Sequence, residues 1–314
     1  SADQQKDADQ PEGADQPEST DQPKDADQQE SADQQESADR QAQQAAPAAA
    51  PAASTPKNDK GNGFWGNTIT VINNIADKVL NLTLRDVKID VSDEDEKTAL
   101  SVQGDGNVEI ELDGDNELKS GTHRAGLEKN TSTSTGTLTL KDDNKDGSLK
   151  ATGGANGAGI GGSMNNGTNK ITIKGGTVEA KGGLYAAGIG GGIGGGGEDI
   201  TIKGGRVTAT GGDYGAGIGG GSGGSGKNIT INGGTVNATG TDGGAGIGGG
   251  ENGNGEDITI NGGKVNASGA YGGAGIGGGV NGIGSKVTVS GAAQVTATAT
   301  GSGPDWSGVG TGAT

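Results

Sequence analysis

A repeated segment between residue 157 and the C-terminus restricts the fold more than any other feature of this sequence. Each of its five copies contains a motif close to AGIG, a glycine-rich turn and a segment close to ITI. Both features return every 29 residues: the motif isoleucines are Ile160, Ile189, Ile218, Ile247 and Ile276, and the ITI segments begin at Ile171, Ile200, Ile229, Ile258 and Val287. A fixed period of this length predicts a solenoid, because one repeat cannot bury its own apolar face and neighbouring repeats must stack to form a core.

Within one repeat the apolar residues alternate with a period of two, which is typical of β-strands. Ile171 and Ile173 alternate with polar residues, and Val178 and Ala180 do the same after a glycine pair. Residues 158–160 form a third short alternating segment. Three short strands separated by glycine turns therefore make one 29-residue coil, and stacked coils give three parallel sheets around an apolar interior. The predicted fold is all-β, a right-handed parallel β-helix or β-solenoid.

Less regular coils precede the five regular ones. Leu82, Ile110 and Leu138 occupy the slot of the later ITI segments, at spacings of roughly 28, 28 and 33 before the period settles at 29. Residues 125–127 are a variant of the AGIG motif. We therefore predict a β-helix of about eight coils over residues 82–314, with coil lengths of roughly 28 to 33 and a regular period from residue 160.

The segments at the two ends follow different patterns. Residues 1–60 are an acidic hexapeptide array followed by an Ala/Pro spacer, which has almost nothing to bury and is predicted to be a disordered stalk. Residues 61–81 mix strand and helix patterns and are expected to cap the first coil. Residues 307–310 look like a further AGIG motif with no cap after it, so we expect that the chain is a fragment or that residues 304–306 fold over the last coil.

Composition and charge argue against several classes of function. The 314 residues carry a net charge of −17 and include no basic patch with aromatic residues, so binding to nucleic acid or to an anionic membrane is disfavoured. The chain has no cysteine, and no apolar run reaches the roughly 18 residues of a membrane span. The only histidine, His123, has no neighbourhood typical of a catalytic triad.

Stacked coils place equivalent outward residues in columns that rise about 4.8 Å per coil. Hydroxyl and amide groups repeated at this rise suit hydrogen bonding to a polymer laid on the sheet. The alternative is that threonine and asparagine are simply well tolerated on solvated strands. The candidate ligand-binding residues in these columns are Asn232, Asn261, Asn237 and Asn266.

Three tyrosines near the AGIG motifs are further candidates for ligand binding. Tyr185 and Tyr214 hold the same repeat position, and Tyr271 is shifted by one residue. In space they are expected to form a broken aromatic strip at a sheet edge, which would stack on the faces of sugars. Their alternative role is to shield the glycine turns.

One segment is similar to a calcium-binding loop. Asp142, Asn144 and Asp146 are followed by Gly147, which fits the oxygen-ligand pattern D-x-[DN]-x-[DN]-G. The glutamate expected at the twelfth position of an EF-hand is missing, because Gly153 lies there. The segment is therefore either a Ca²⁺ site with a shorter set of ligands or an ordinary acidic turn.

The sequence offers little for catalysis. Asp199 and Asp257 lie two coils apart, and the slots that follow them hold Asn228 and Lys286. The two carboxylates would be about 9.6 Å apart from the coil rise, which exceeds the separation in retaining glycosidases and only reaches the upper limit for inverting ones.

The motifs AGIGGG, ITINGGTVNATG and DGDN resemble the glycine-rich right-handed parallel β-helix repeats of secreted bacterial surface proteins, including clostridial-type carbohydrate-binding β-helix domains. The resemblance covers residues 80–314. The repeats also resemble those of autotransporter-type passenger adhesins, but the FxxN motif of those proteins is not found in this sequence. The resemblance implies an exported, non-catalytic role in adhesion or polysaccharide attachment, sometimes with calcium.

Three hypotheses for the function follow. The first is a secreted or cell-surface bacterial module that presents a rigid β-helix to a polysaccharide, a glycan or a host surface. The second is a polysaccharide lyase or glycoside hydrolase on a pectate-lyase-like scaffold. The third is a structural rod that associates with itself, for which the outer glycines of the AGIG segments offer a docking strip.

Overall fold

The computed structural model describes residues 62–300 and the backbone of one further strand, Val309–Gly310. The predicted disordered stalk of residues 1–60 and the expected contact of residues 304–306 lie outside this range. All regular elements of the described residues are β-strands, and they pair in parallel into three sheets. None of these residues forms a helix that is long and apolar enough to cross a membrane.

The first sheet contains nine strands, one from each successive passage of the chain. Its order along the sheet is β1 (Ile69–Ile72), β4 (Leu100–Gln103), β7 (Leu127–Glu128), β10 (Ile160–Gly161), β13 (Ile189–Gly190), β17 (Ile218–Gly219), β21 (Ile247–Gly248), β24 (Ile276–Gly277) and β27 (Val309–Gly310). The AGIG motifs therefore build this sheet. Val309 pairs with Ile276 and Gly310 with Gly277, so these two residues continue the sheet of the AGIG motifs.

The second sheet is built from the ITI segments. Its strands are β2 (Val79–Arg85), β5 (Asn107–Asp113), β8 (Leu138–Lys141), β11 (Ile171–Ile173), β14 (Gly197–Glu198), β15 (Ile200–Ile202), β18 (Gly226–Lys227), β19 (Thr230–Ile231), β22 (Gly255–Ile260) and β25 (Gly284–Val289). Two coils contribute a pair of short strands, separated at Asp199 and at residues 228–229. Asp199 and Asn228 have left-handed backbones with φ of 51° and 52°, as do the equivalent Asp257 and Lys286 within the unbroken β22 and β25.

The third sheet has eight strands, each following the turn after an ITI segment. They are β3 (Lys88–Asp90), β6 (Asp115–Lys119), β9 (Ser148–Thr152), β12 (Thr177–Lys181), β16 (Arg206–Asp213), β20 (Thr235–Thr241), β23 (Lys264–Ala270) and β26 (Gln294–Thr300). Residues 62–300 thus form a parallel β-solenoid of about eight turns with three strands per turn, as predicted.

The core is a set of continuous apolar stacks along the solenoid. In one regular coil the inward side chains are Ile160, Ile171, Ile173, Val178 and Ala180, and each is at most 1% exposed. Equivalent residues of the next coil lie directly on top, so that Ile160 pairs with Ile189 and Ala180 with Ala209. The predicted alternation is confirmed: in β12 the burial follows the pattern exposed, buried, exposed, buried, exposed.

The glycines of the first sheet are required by backbone packing between coils. Gly219 has a φ of 136°, and a Cβ added to it would overlap the carbonyl oxygen of Gly248 in the next coil. The outer glycines of the AGIG segments, Gly159, Gly188 and Gly217, are buried as well. A Cβ on any of these three would lie within 2.7 Å of a carbonyl oxygen of the next coil. The hypothesis that they offer a docking strip to another rod is therefore wrong, because the chain's own backbone already fills the space.

One predicted register is wrong. Even spacing along the sequence places Ile110 over Leu138, but Ile110 pairs with Leu140 and it is Val108 that pairs with Leu138. A shift of two residues leaves every side chain on the same face of the sheet, so the apolar pattern alone cannot choose between the two registers. The other slots are confirmed: Leu82 pairs with Ile110, and Leu138 with Ile171.

The solenoid also begins earlier than residue 82. β1 and the first residues of β2 fall within the segment expected to cap the first coil, but both strands pair in parallel with the next coil. Before them, Trp65 forms a parallel bridge with Ile89, and Lys119 Nζ lies 4.2 Å from the centre of the Phe64 ring. Residues 64 and 65 therefore cover the exposed edge of the third sheet, which is the edge protection that a cap would supply.

Candidate functional site

The outward face of the third sheet is charged in its first four coils. One column consists of Lys88, Glu117, Lys150 and Glu179, which alternate in sign. Lys150 Nζ lies 3.9 Å from Glu179 Oε1, and Lys119 Nζ in the adjacent column lies 3.1 Å from Glu117 Oε1. A groove of about 350 Å³ opens between these side chains. Each charge of this column thus lies next to a charge of opposite sign in the adjacent coil.

The column that begins at Lys88 and the adjacent column that contains Lys119 both become uncharged in the last four coils. We call the eight side chains of this part the neutral grid: Thr208, Thr210, Asn237, Thr239, Asn266, Ser268, Thr296 and Thr298. All are half-buried or exposed. Asn266 Nδ2 donates a hydrogen bond of 2.9 Å to Asn237 Oδ1. The hydroxyl groups of the grid have no protein partner within residues 62–300, so they remain free to bond to a ligand.

The structure brings two of the three candidate tyrosines together. The rings of Tyr185 and Tyr214 are stacked, with centroids 5.9 Å apart and planes at 9°. They follow β12 and β16, and the Tyr214 N–H donates to the carbonyl oxygen of Thr241, so the two tyrosines lie beyond the C-terminal ends of strands of the third sheet. Tyr271 lies two coils further on, is 68% exposed and is not part of the stack. The predicted strip is thus one ring pair and one isolated ring.

The four candidate asparagines lie on two different faces. Asn237 and Asn266 belong to the neutral grid, whereas Asn232 and Asn261 lie just after strands β19 and β22 of the second sheet. Asn261 Nδ2 donates to Asn232 Oδ1 over 2.9 Å, and Ser290 Oγ donates to Asn261 Oδ1 over 2.8 Å. A second column of the same face is charged and consists of Lys170, Asp199, Asn228, Asp257 and Lys286. Over the last four coils, the third sheet therefore presents the more uniform neutral surface.

The carboxylates considered for catalysis are each engaged with the following coil. Asp199 Oδ1 accepts a hydrogen bond of 3.1 Å from Asn228 Nδ2. Asp257 Oδ1 forms an ion pair of 3.1 Å with Lys286 Nζ. The two aspartates are thus separated by an amide, and each has a partner of its own. This arrangement does not provide the facing acid and base that glycoside hydrolysis requires.

The acidic loop at residues 142–147 forms a turn closed by a hydrogen bond between a backbone N–H and a side chain. Asp142 Oδ1 accepts a hydrogen bond of 3.1 Å from the Gly147 N–H, and Asn144 and Asp146 are exposed. Within the described part of the chain, no three His, Cys, Asp or Glu side chains are placed together so that they could hold a metal ion. Calcium binding by this loop stays a prediction.

Sequence reasoning missed a polar network in the interior corner of an early coil. Lys129 is fully buried, and its Nζ donates to Asn169 Oδ1 over 3.0 Å. Burial lowers the pKa of Lys129 to about 8, and the nearby charge of Lys170 acts in the same direction. Burial raises the pKa of the neighbouring Glu128, although the charge of Arg124 opposes this effect. No spacing in the sequence marks these residues, because the corner holds glycines in the regular coils.

These features define the class of protein. The fold is a parallel β-solenoid, with a charged and a neutral half on one polar face. The family model for the beta helix repeat matches residues 145–164, 171–197, 200–222, 229–251 and 258–280, so these segments are similar to β-helix repeats, in agreement with the parallel β-solenoid. The comparisons with curated proteins and with solved structures gave no match.

Proposed function

We propose that this chain is a non-catalytic module of a secreted or cell-surface bacterial protein and that it attaches to polysaccharide through the third sheet. The observation that carries the proposal is the neutral grid. Six of its eight side chains bear hydroxyl groups with no partner among the described residues, and they are repeated at a rise of about 4.8 Å. A regular array of this kind suits a ligand that is itself a repeating polymer of hydroxyl groups.

Two further properties of the face support polysaccharide binding. The grid residues are fixed on paired strands, so little entropy remains to be lost on binding beyond that of the side-chain rotamers themselves. The stacked rings of Tyr185 and Tyr214 follow the C-terminal ends of two strands of the same sheet. Aromatic rings combine a large apolar surface with a polar hydroxyl, which fits the apolar face and polar rim of a sugar ring.

The binding face is tested by comparing two pairs of asparagines that make the same ladder contact. Asn237 and Asn266 form a ladder bond of 2.9 Å on the third sheet, and Asn232 and Asn261 form one of 2.9 Å on the second. Asn237→Ala with Asn266→Ala removes two amides from the grid, whereas Asn232→Ala with Asn261→Ala makes the same chemical change on the other face. Both double variants lose one ladder bond, and the second-sheet variant also loses the bond from Ser290 Oγ to Asn261 Oδ1, so thermal unfolding measures the loss of stability of each separately.

Binding is measured on a polysaccharide panel by affinity electrophoresis and calorimetry, with thermal unfolding as the check on folding. The third-sheet variant is expected to bind about tenfold more weakly, because two lost hydrogen bonds of about 0.7 kcal/mol each correspond to that factor. The second-sheet variant is expected to retain wild-type affinity. Equal losses in both variants, a loss in the second-sheet variant alone, or no binding by wild type to any glycan would each overturn the proposal.

A further inference from the structure

We infer that the polysaccharide recognised by the neutral grid is uncharged. This inference rests on the proposed polysaccharide binding and adds the class of ligand. It begins from the distribution of charge along the chain. Residues 161–314 contain nine acidic and eight basic residues, which gives a net charge of −1, whereas the whole chain has −17. The half of the solenoid that carries the grid therefore has almost no net charge with which to attract an ionic polymer.

The local charges around the grid lead to the same conclusion. Arg206 and Lys264 border the grid at the start of its strands, and Asp213 borders it at the end of β16. The grid itself contains only hydroxyl and amide groups. A carboxylate or ammonium group laid on its centre would lose water and gain no counter-ion there, which carries a large cost in free energy. Sugar hydroxyls, by contrast, exchange one set of neutral hydrogen bonds for another.

The charged half of the face explains why the grid is bounded. In the column of Lys88, Glu117, Lys150 and Glu179, each side chain faces a neighbour of opposite sign. A polymer that extended over this half would have to displace these ion pairs. The four coils of the grid span roughly 14 Å at the rise of a parallel sheet. The ligand is therefore a short stretch of neutral polysaccharide, a few sugar units long, lying on the last four coils.

The test uses pairs of glycans that share a backbone and carry either a neutral or a charged substituent. Chitin oligosaccharides are compared with their deacetylated, cationic forms, and methyl-esterified homogalacturonan with its de-esterified, anionic form. Hydroxyethyl and carboxymethyl cellulose form a third pair. For any backbone that wild type binds, the neutral member is expected to bind at least tenfold more tightly. Its affinity should change less than twofold between 50 and 500 mM salt, because no ionic contact is screened.

Variants that introduce charge into the grid provide the second part of the test. Asn237→Asp together with Asn266→Asp is expected to weaken binding of the neutral member and to improve binding of the cationic chitosan oligosaccharides, with a new dependence on salt. Wild-type preference for an anionic or cationic member, with affinity that falls in salt, would overturn the inference and leave polysaccharide binding standing. Failure of wild type to bind any member of the three pairs or of the wider panel would overturn both.

Discussion

Replacing Lys129 with methionine is expected to stabilise the solenoid at neutral pH. The ammonium group is fully buried, and its hydrogen bonds go to two neutral oxygens: Asn169 Oδ1 at 3.0 Å and the carbonyl oxygen of Ser134 at 3.5 Å. No carboxylate among the described residues forms an ion pair with it. A buried charge of this kind is costly, and replacing it with an apolar side chain of similar length removes the cost.

The pKa gives the magnitude. Burial lowers the pKa of Lys129 from 10.5 to about 8, and this difference corresponds to about 3 kcal/mol of destabilisation when the group is charged. Methionine also loses two hydrogen bonds, worth about 1 kcal/mol each. Asn169 is half-buried, so water can replace one of them. The difference between these two effects leaves a net gain of about 2 kcal/mol or slightly less at pH 7.

The sign of the pH dependence follows from the same pKa. Between pH 8 and 10.5 the unfolded chain keeps the Lys129 proton while the folded chain has lost it, so the unfolded state binds more protons and stability rises with pH. Below pH 8 both states are protonated and the cost of the buried charge is fully present. From pH 7 to 9.5 the wild type should gain about 2 kcal/mol from this group.

Urea unfolding of wild type, Lys129→Met and Lys203→Met at pH 7 and 9.5 measures these quantities. Lys203 is exposed on the second sheet, so its replacement controls for the loss of a lysine without burial. The advantage of Lys129→Met over wild type should be largest at pH 7 and should shrink at pH 9.5. A variant that is less stable than wild type at pH 7, or an advantage that does not depend on pH, would refute the reasoning.

Two more substitutions test the stacking of the coils. Gly219→Ala is expected to destabilise the solenoid by more than about 3 kcal/mol, because its Cβ would overlap backbone of the next coil; Gly223→Ala, which also has a positive φ but no atom closer than 4.0 Å, should cost only about 1 kcal/mol in thermal or urea unfolding. Lys150→Glu places a third carboxylate between Glu117 and Glu179, so a loss of about 1 kcal/mol that fades in 1 M salt is expected, and Lys150→Gln should lose less. Equal effects within either pair would contradict the proposed stacking.

The sequence predicts the fold well because the 29-residue period alone aligns equivalent residues of successive coils. Where the period is broken, the alignment fails, as at Ile110, whose register is off by two residues because both registers bury the same face. The alternating column that begins at Lys88 could not be recognised for the same reason: its coils differ in length. Lys129 was missed because its burial depends on a corner between sheets, which no periodicity reports.

The candidate site was predicted only in part. Repeat positions identified Asn237 and Asn266 as ladder neighbours, and the structure confirms that they pair. The same positions could not show that Asn232 and Asn261 lie on another face with charged neighbours. Nor could they show that Tyr185 and Tyr214 stack whereas Tyr271 stands alone, since a shift of one residue in a turn changes where a ring points.

The central claim is that residues 29 apart lie directly over one another, and paired cysteines test it most directly. The chain has no cysteine, so Thr201→Cys with Thr230→Cys creates the only two thiols. These positions are register partners in adjacent coils, about 4.8 Å apart, whereas Thr201 and Thr259 are two coils and roughly 9.6 Å apart. Dibromobimane bridges only neighbouring thiols and becomes fluorescent when both arms react. Fluorescent intramolecular bridging of the 201/230 pair but not of the 201/259 pair is predicted, and equal bridging of both pairs, or of neither, would contradict the stacked solenoid.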